Sequence, residues 1–346
     1  MAFRASLRPL SDGAGRPADA AAGGVPGAAA PDWLGLGCAP IGNLYAPVAE
    51  ADADATIAEA LARGIRFFDT APHYGAGVSE QRLGRSLAGT PRADVVIATK
   101  VGRQVVDADG LPVAPGATGV DTIGDLSRDG VLRSLEGSLA RLGTDRIDLL
   151  YLHDPADVDE ALRGAMPELE RLRDEGVVRA IGIGMVRTAP LTRFARESSP
   201  DVIMVAGRTT LLDRTAELDL LPAARERGIG IVAAGVFNSG VLADPAGSPW
   251  FDYKPAPDAL VRRARALEAL CLAHGVELRH AAARFALRLD PVEAVVVGAR
   301  TADEVRDLAD GAAAAIPDEL WAELEAVTAG AAPEAVAPAP PTAPVR

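Results

Sequence analysis

Eight short, almost uninterrupted apolar runs recur along this chain, separated by longer stretches with apolar residues at helical spacing. The runs are "WLGLGCAPIG", "IRFFDT", "DVVIATK", "IDLLYLH", "VVRAIGIG", "DVIMVAG", "IGIVAAG" and "VEAVVVGA". A strand that is apolar at nearly every position has both faces covered, as in a parallel sheet flanked by helices. The helical stretches include 52–63, 79–88, 128–142, 159–175, 214–227 and 301–310. One of them, "SRDGVLRSLEGSLARL", opens on a serine suited to capping. About eight strand–helix units over some three hundred residues predict an α/β fold, the (β/α)8 TIM barrel. An open doubly wound sheet is the rival, but its G-x-G-x-x-G fingerprint is not matched. In "GLGCAPIG" the glycines are Gly35, Gly37 and Gly42, so the third comes two places late.

The barrel is expected over 32–328 as a single domain. Residues 1–31 are expected to be a flexible N-terminal segment, with a small hairpin strand possible in "FRASLRPL". Residues 329–346, "AAPEAVAPAPPTAPVR" and its neighbours, are expected to be a disordered Ala/Pro-rich tail. A formal net charge of −13 argues against nucleic-acid or anionic-membrane partners, which need basic patches. The two cysteines, Cys38 and Cys271, form no C-x-x-C pattern, so neither a disulfide framework nor a structural zinc site is expected, and no metal is required. No apolar run is long enough to span a membrane and no compact signal core opens the chain, so the expected compartment is the cytoplasm. Oligomeric state is open.

Three of the predicted strands end in an ionisable side chain. Asp69 closes the second run, with Tyr74 just beyond it, Lys100 closes the third and His153 the fourth. In such a barrel the C-terminal strand ends carry the chemistry. A phenol with an ordinary pKa near 10 releases a proton easily only beside a cation, which Lys100 supplies. Asp69 would keep that lysine charged and in place, and His153 would orient a substrate oxygen. Together they make a proton-transfer site beside a carbonyl or alcohol that still lacks a hydride carrier. Taken singly, each residue has a blander reading as a cap, a surface charge or a structural histidine. His73 is given only a structural role beside the site.

The segments "FFDTAPHYG", "ATKVG" and "DLLYLHDP" resemble the signatures of the aldo-keto reductase superfamily. The resemblance covers roughly residues 32 to 328 and implies an NAD(P)-dependent oxidoreductase with a catalytic tetrad of Asp69, Tyr74, Lys100 and His153. "LGLGCAPIGNLY", "LHDP", "AGRTTLLD" and "GVFNSGVLA" further resemble the bacterial aldose dehydrogenase branch, acting on L-fucose or D-threo-aldoses, in which pyridoxal 4-dehydrogenase also sits. The activity so implied is oxidation of a cyclic hemiacetal to its lactone, with Tyr74 accepting the hydroxyl proton.

On the cofactor side, "VVVGARTADEVRDL" resembles the family's phosphate-gripping strand and helix start, where Gly298, Ala299, Arg300 and Thr301 match the loop. Glu304 stands where NADP-preferring members often have an arginine, which favours NAD, with NADP possible because Arg300 could pair with a phosphate. Arg208 lies near the place of a carboxamide partner. Phe237 and Asn238, with Ser239 and Gly240, are assigned to the nicotinamide side, where Ala234 replaces a stacking aromatic. Leu308, Met185 and Val186 occupy positions where many members carry asparagines. Two long irregular loops, 102–125 and 235–257, are expected to shape the substrate pocket and to fold over the cofactor, respectively.

The expected substrate is therefore a small sugar or carbonyl compound. The alternatives are NADPH-dependent aldehyde or ketone reduction, pyridoxal oxidation and, in a different class, a cofactor-binding regulatory subunit.

Overall fold

The computed structural model of the chain describes residues 30–44 and 46–328. The hairpin strand expected in "FRASLRPL" and the Ala/Pro-rich tail lie outside the described residues.

All eight apolar runs are strands of one closed barrel. In chain order they are β1 (Leu34–Gly37), β2 (Phe67–Asp69), β3 (Val96–Val101), β6 (Ile147–His153), β7 (Val178–Met185), β8 (Val202–Ala206), β9 (Gly230–Ala234) and β12 (Val292–Gly298). Each pairs in parallel with its neighbours, and β1 closes the ring against β12. Side chains alternate in and out along each strand. The inward set forms its own core of Phe67, Val96, Ala98, Leu149, Tyr151, Ala180, Val202, Met204, Val232, Ala294 and Val296. The outward set joins the helices in a larger apolar layer. Gly182 makes room inside the ring, because a Cβ there would come within 2.8 Å of the Tyr151 ring.

The same alternation fixes the site. Phe67 and Val96, Ala98 point inward, so Asp69 and Lys100 do too, and Leu149 and Tyr151 carry His153 inward. The register pairs Asp69 with Ala98 and Lys100 with Tyr151. Each ionisable residue is thus one pleat further along than its predecessor, following the tilt of the strands.

Two expected helices differ in detail. The stretch 159–175 is two helices, Val158–Arg163 and Ala165–Asp174, split at Gly164. A Cβ at Gly164 would come within 2.6 Å of the Leu126 carbonyl oxygen, so a close backbone approach breaks the run there. The stretch 214–227 is a short 3-10 turn, Thr215–Glu217, followed by a helix, Leu220–Arg227. In both cases the second helix holds a proline, Pro167 or Pro222, in its first turn, where no N–H is needed.

The two long loops are more ordered than their sequence implied. Residues 102–125 contain an antiparallel hairpin, β4 (Arg103–Val106) with β5 (Asp121–Gly124). Residues 235–257 contain a second, β10 (Trp250–Phe251) with β11 (Lys254–Pro255). Its two-residue turn has Asp252 at φ 49° and Tyr253 at φ 61°, the pattern of a turn that suits twisted strands. Of its aromatics, Phe251 is buried while Trp250 and Tyr253 are exposed. Among the described residues no helix is long and apolar enough to cross a membrane.

Candidate active site

At the C-terminal rim of the barrel, Lys100 is fully buried and its Nζ donates to three oxygens. Asp69 Oδ1 lies at 2.9 Å, Asp69 Oδ2 at 2.7 Å and the Thr70 carbonyl at 2.9 Å. Burial pushes the Asp69 carboxyl above its ordinary range, and the Lys100 ammonium pulls it back. The ion pair is what makes a buried carboxylate tolerable.

Tyr74 sits in the turn after β2, with its N–H donating to the Ala71 carbonyl at 3.1 Å. Its backbone is pressed against the loop after β1: a Cβ at Gly42 would come within 2.7 Å of the Tyr74 carbonyl oxygen. Lys100 Nζ lies 4.7 Å from the centroid of the Tyr74 ring. The His153 ring meets the same ring edge-on, 5.6 Å between centroids. The structure thus brings Asp69, Tyr74, Lys100 and His153 together at one rim.

His153 is held far below the ordinary histidine range by burial, reinforced by the charges of Lys100 and Arg103. It is therefore a neutral imidazole, able both to donate and to accept a hydrogen bond. Its Nδ1 is buried without a partner among the described residues. Below Lys100, on the barrel axis, the Tyr151 ring lies 5.9 Å from Nζ. Burial first, and then the Asp69 carboxylate, raise the Tyr151 phenol well above its usual pKa, which favours its protonated form. Cys38, at the end of β1, is wholly buried and its thiol is pushed up by burial, so it is an apolar filler rather than a nucleophile.

Sequence reasoning missed a supporting set. Thr70, whose carbonyl receives Lys100, has its hydroxyl 2.8 Å from Ser79 Oγ, which donates to the Cys38 carbonyl at 2.7 Å. Thr99, next to Lys100, donates to the buried Glu80 at 2.5 Å, and Glu80 is paired with Arg141 at 2.6 Å. Only the position of these residues beside the strand ends could have flagged them. His73 Nδ1 lies 2.6 Å from Thr122 Oγ1, a contact across 49 residues that no local spacing reveals.

The residues assigned to a cofactor fall in three groups. Gly298, Ala299, Arg300 and Thr301 run from the end of β12 into the helix Ala302–Ala313. Thr301 Oγ1 caps it by accepting from the Glu304 N–H at 3.2 Å. Glu304 reaches back, accepting from the Arg300 N–H at 2.7 Å and pairing with the Arg300 guanidinium at 3.1 Å. Phe237, Asn238, Ser239 and Gly240 follow β9, the last three with φ of 46°, 64° and 122°. Two of the N–H groups in this turn are taken internally, Asn238 donating to the Gly235 carbonyl at 2.9 Å and Gly240 to the Phe237 carbonyl at 2.9 Å. Asn238 Nδ2 donates to the Gly207 carbonyl at 3.0 Å, while its Oδ1 is buried with no partner among the described residues.

Arg208, expected near the place of a carboxamide partner, has its guanidinium engaged with two carboxylates. It donates to Asp252 at 2.6 and 3.1 Å and to Asp213 at 3.0 Å. Asp252 is in the β10–β11 turn, so Arg208 ties that hairpin to the end of β8. Leu308 and Met185 are buried. For a dinucleotide these residues offer the start of the helix Ala302–Ala313, whose dipole suits a phosphate, and the orphaned Asn238 Oδ1, which can accept from an amide N–H.

A family model described as the aldo/keto reductase family matches residues 33–329. The chain is 44% identical over 308 residues to a D-threo-aldose 1-dehydrogenase of Pseudomonas sp, covering 84% of this chain and 92% of that protein. It is 39% identical over 316 residues to a pyridoxal 4-dehydrogenase of Microbacterium luteolum, with the same 84% and 92% coverage. Among solved structures, the holo form of an aldo-keto reductase from Bacillus halodurans superposes with a TM-score of 0.71 at 28% identity, over 88% of this chain and 94% of that one.

Proposed function

The chain belongs to the aldo/keto reductase family of NAD(P)-dependent oxidoreductases, and on that premise we propose that it oxidises the hemiacetal hydroxyl of an aldose to the corresponding lactone. The observation that carries this reading is the buried Lys100–Asp69 pair, with Nζ 4.7 Å from the centre of the Tyr74 ring. An ammonium at that distance stabilises the phenolate that must accept the substrate's proton.

Each residue then has a role at a stated atom. Tyr74 Oη takes the hydroxyl proton as the carbonyl forms. Lys100 Nζ offsets the charge on that oxygen, and Asp69 fixes the lysine by both carboxylate oxygens. His153, neutral at working pH, hydrogen-bonds the reacting oxygen and sets its angle to Tyr74. A nicotinamide bound at the rim would accept the hydride. The loop 298–301 with the helix start after it, and the turn 237–240, would hold the dinucleotide. Glu304, already accepting from Arg300 at 2.7 Å, supports NAD over NADP, because its carboxylate occupies the arginine and opposes a further phosphate.

The identity to a D-threo-aldose 1-dehydrogenase favours an aldose, and the 39% identity to a pyridoxal 4-dehydrogenase favours pyridoxal as the second reading. Both substrates present the same group, a cyclic hemiacetal. Purified protein mixed with NAD or NADP and a panel of aldoses plus pyridoxal, followed by absorbance of the reduced cofactor, decides between them. Turnover of one or more aldoses, faster with NAD, is the expected result. No turnover with any aldose, alongside efficient NADPH-driven aldehyde reduction, overturns the sugar assignment.

A further inference from the structure

The hairpin β4–β5 leaves the lysine strand at Gly102. That residue has φ of 93°, and a Cβ there would come within 2.8 Å of Leu152 Cδ1. The chain turns sharply at a position only glycine fills well. Register pairs Arg103 with Gly124 and Val105 with Thr122, so these four share one face of the ribbon. Contacts identify the two faces. Gln104, on the other side, donates to the Gly130 carbonyl of the helix Arg128–Leu142 at 2.5 Å. Thr122, on the Arg103 side, meets His73 at 2.6 Å, and the His73 ring meets His153 edge-on at 5.9 Å. Arg103 is therefore aimed toward the site, with no side chain on Gly124 to cover it. Its Nε is buried and has no hydrogen-bond partner among the described residues.

Its charge acts on three neighbours at once: it lowers His73 and His153, and it offsets the burial of Asp154. Asp154 follows His153 directly and has φ of 42°, left-handed backbone that a non-glycine residue adopts at a cost. Its N–H donates to the Gly184 carbonyl at 3.0 Å. In this conformation Asp154 Oδ2 lies 3.8 Å from His153 Nε2, the ring nitrogen opposite the buried Nδ1.

We propose that Arg103 and Asp154 form a donor–acceptor pair that reads the hydroxyl groups next to the reacting carbon, which restricts good substrates to neutral polyhydroxylated carbonyls and their hemiacetals. This rests on the carbonyl–alcohol chemistry proposed above and adds to it the substrate class. A guanidinium only donates and an ionised carboxylate only accepts, whereas a hydroxyl does both. Neighbouring hydroxyls can therefore satisfy the two residues together. The opposite charges leave an anionic substrate without net attraction, since what it gains at Arg103 it loses at Asp154. A site built to hydrogen-bond a hydroxyl strongly rejects the analogue that lacks it, since its polar groups are left unpaired.

The test compares reduction of glyceraldehyde with that of propanal, which lacks both hydroxyls, in the full-length enzyme and in Arg103→Met and Asp154→Asn. Asparagine tolerates left-handed backbone, and methionine keeps an apolar stem, so both variants preserve packing. The expected result is a wild-type preference for glyceraldehyde that falls at least about tenfold in each variant, chiefly through KM for that substrate. Arg103→Lys keeps the charge without the fork and is expected to fall between; it also serves if the methionine variant does not fold. Equal losses on both substrates, an unmoved ratio, or a wild-type preference for propanal overturns the inference. Aldose oxidation with an unmoved ratio leaves the proposed function standing without this pair. A falling ratio in an enzyme that oxidises no aldose leaves the pair standing without that function.

Discussion

Lys100 Nζ grips both carboxylate oxygens of Asp69, at 2.9 and 2.7 Å, from the neighbouring strand and one pleat higher. The pair is walled off from water by the barrel core beneath it and the Tyr74 ring beside it. Mutual neutralisation inside the ring makes each member depend on the other.

Replacing Lys100 with methionine strands that carboxylate. Removing one partner of a buried pair costs about 3–5 kcal/mol, and the Asp69→Asn, Lys100→Met double variant should regain part of it. Urea denaturation of the single and double variants measures both. Turnover should be lost in either background.

Tyr74→Phe removes the proposed proton acceptor and leaves the ring. Turnover should fall by about 100- to 10,000-fold while cofactor affinity, read by fluorescence titration, stays near wild type. A protein whose role is to bind cofactor and regulate a partner would keep its effect in this variant.

Acid should weaken the fold through His73. Burial first, and then the Arg103 charge, push its pKa down to about 4, against about 6.5 in an unfolded chain. Between those values the unfolded chain binds more protons, so stability rises with pH. The contribution is intact above about pH 6.5 and is lost as pH falls through about 4. His153 shifts in the same direction. His73→Gln should therefore show a smaller drop in urea midpoint from pH 7 to pH 5 than wild type, without abolishing it.

Glu304→Ala releases Arg300 from its side-chain partner at 3.1 Å. The free guanidinium can then pair with an extra phosphate, and kcat/KM for NADP relative to NAD should rise about tenfold or more. An unchanged ratio would mean that Glu304 serves only the helix start, where it also accepts from the Arg300 N–H.

The barrel was legible because its signal is local. A strand covered on both faces has to be apolar throughout, and all eight runs obeyed that rule. Asp69, Lys100 and His153 were legible for the same reason: a polar residue that ends such a run has few places to go but the rim. The hairpin of residues 103–124 was not, because its strands are short, polar and separated by many residues, so pairing alone defines it. Arg103 and Asp154 went unnoticed with it. The meaning of Arg103 comes from the ribbon face it shares with Thr122, and that of Asp154 from a backbone angle. Arg208 was found by position, yet its ties to Asp213 and Asp252 depend on a distant turn that composition does not disclose.

The β4–β5 ribbon pairs with itself and adds no rung to the barrel ladder. It is held instead by contacts outside that closure, with the helix Arg128–Leu142 and with His73. On the proposed roles, exchanging this one excursion between relatives should retune substrate choice while the strands that carry Asp69, Lys100 and His153 stay as they are. The scaffold and the choice of what it acts on are then free to diverge at different speeds.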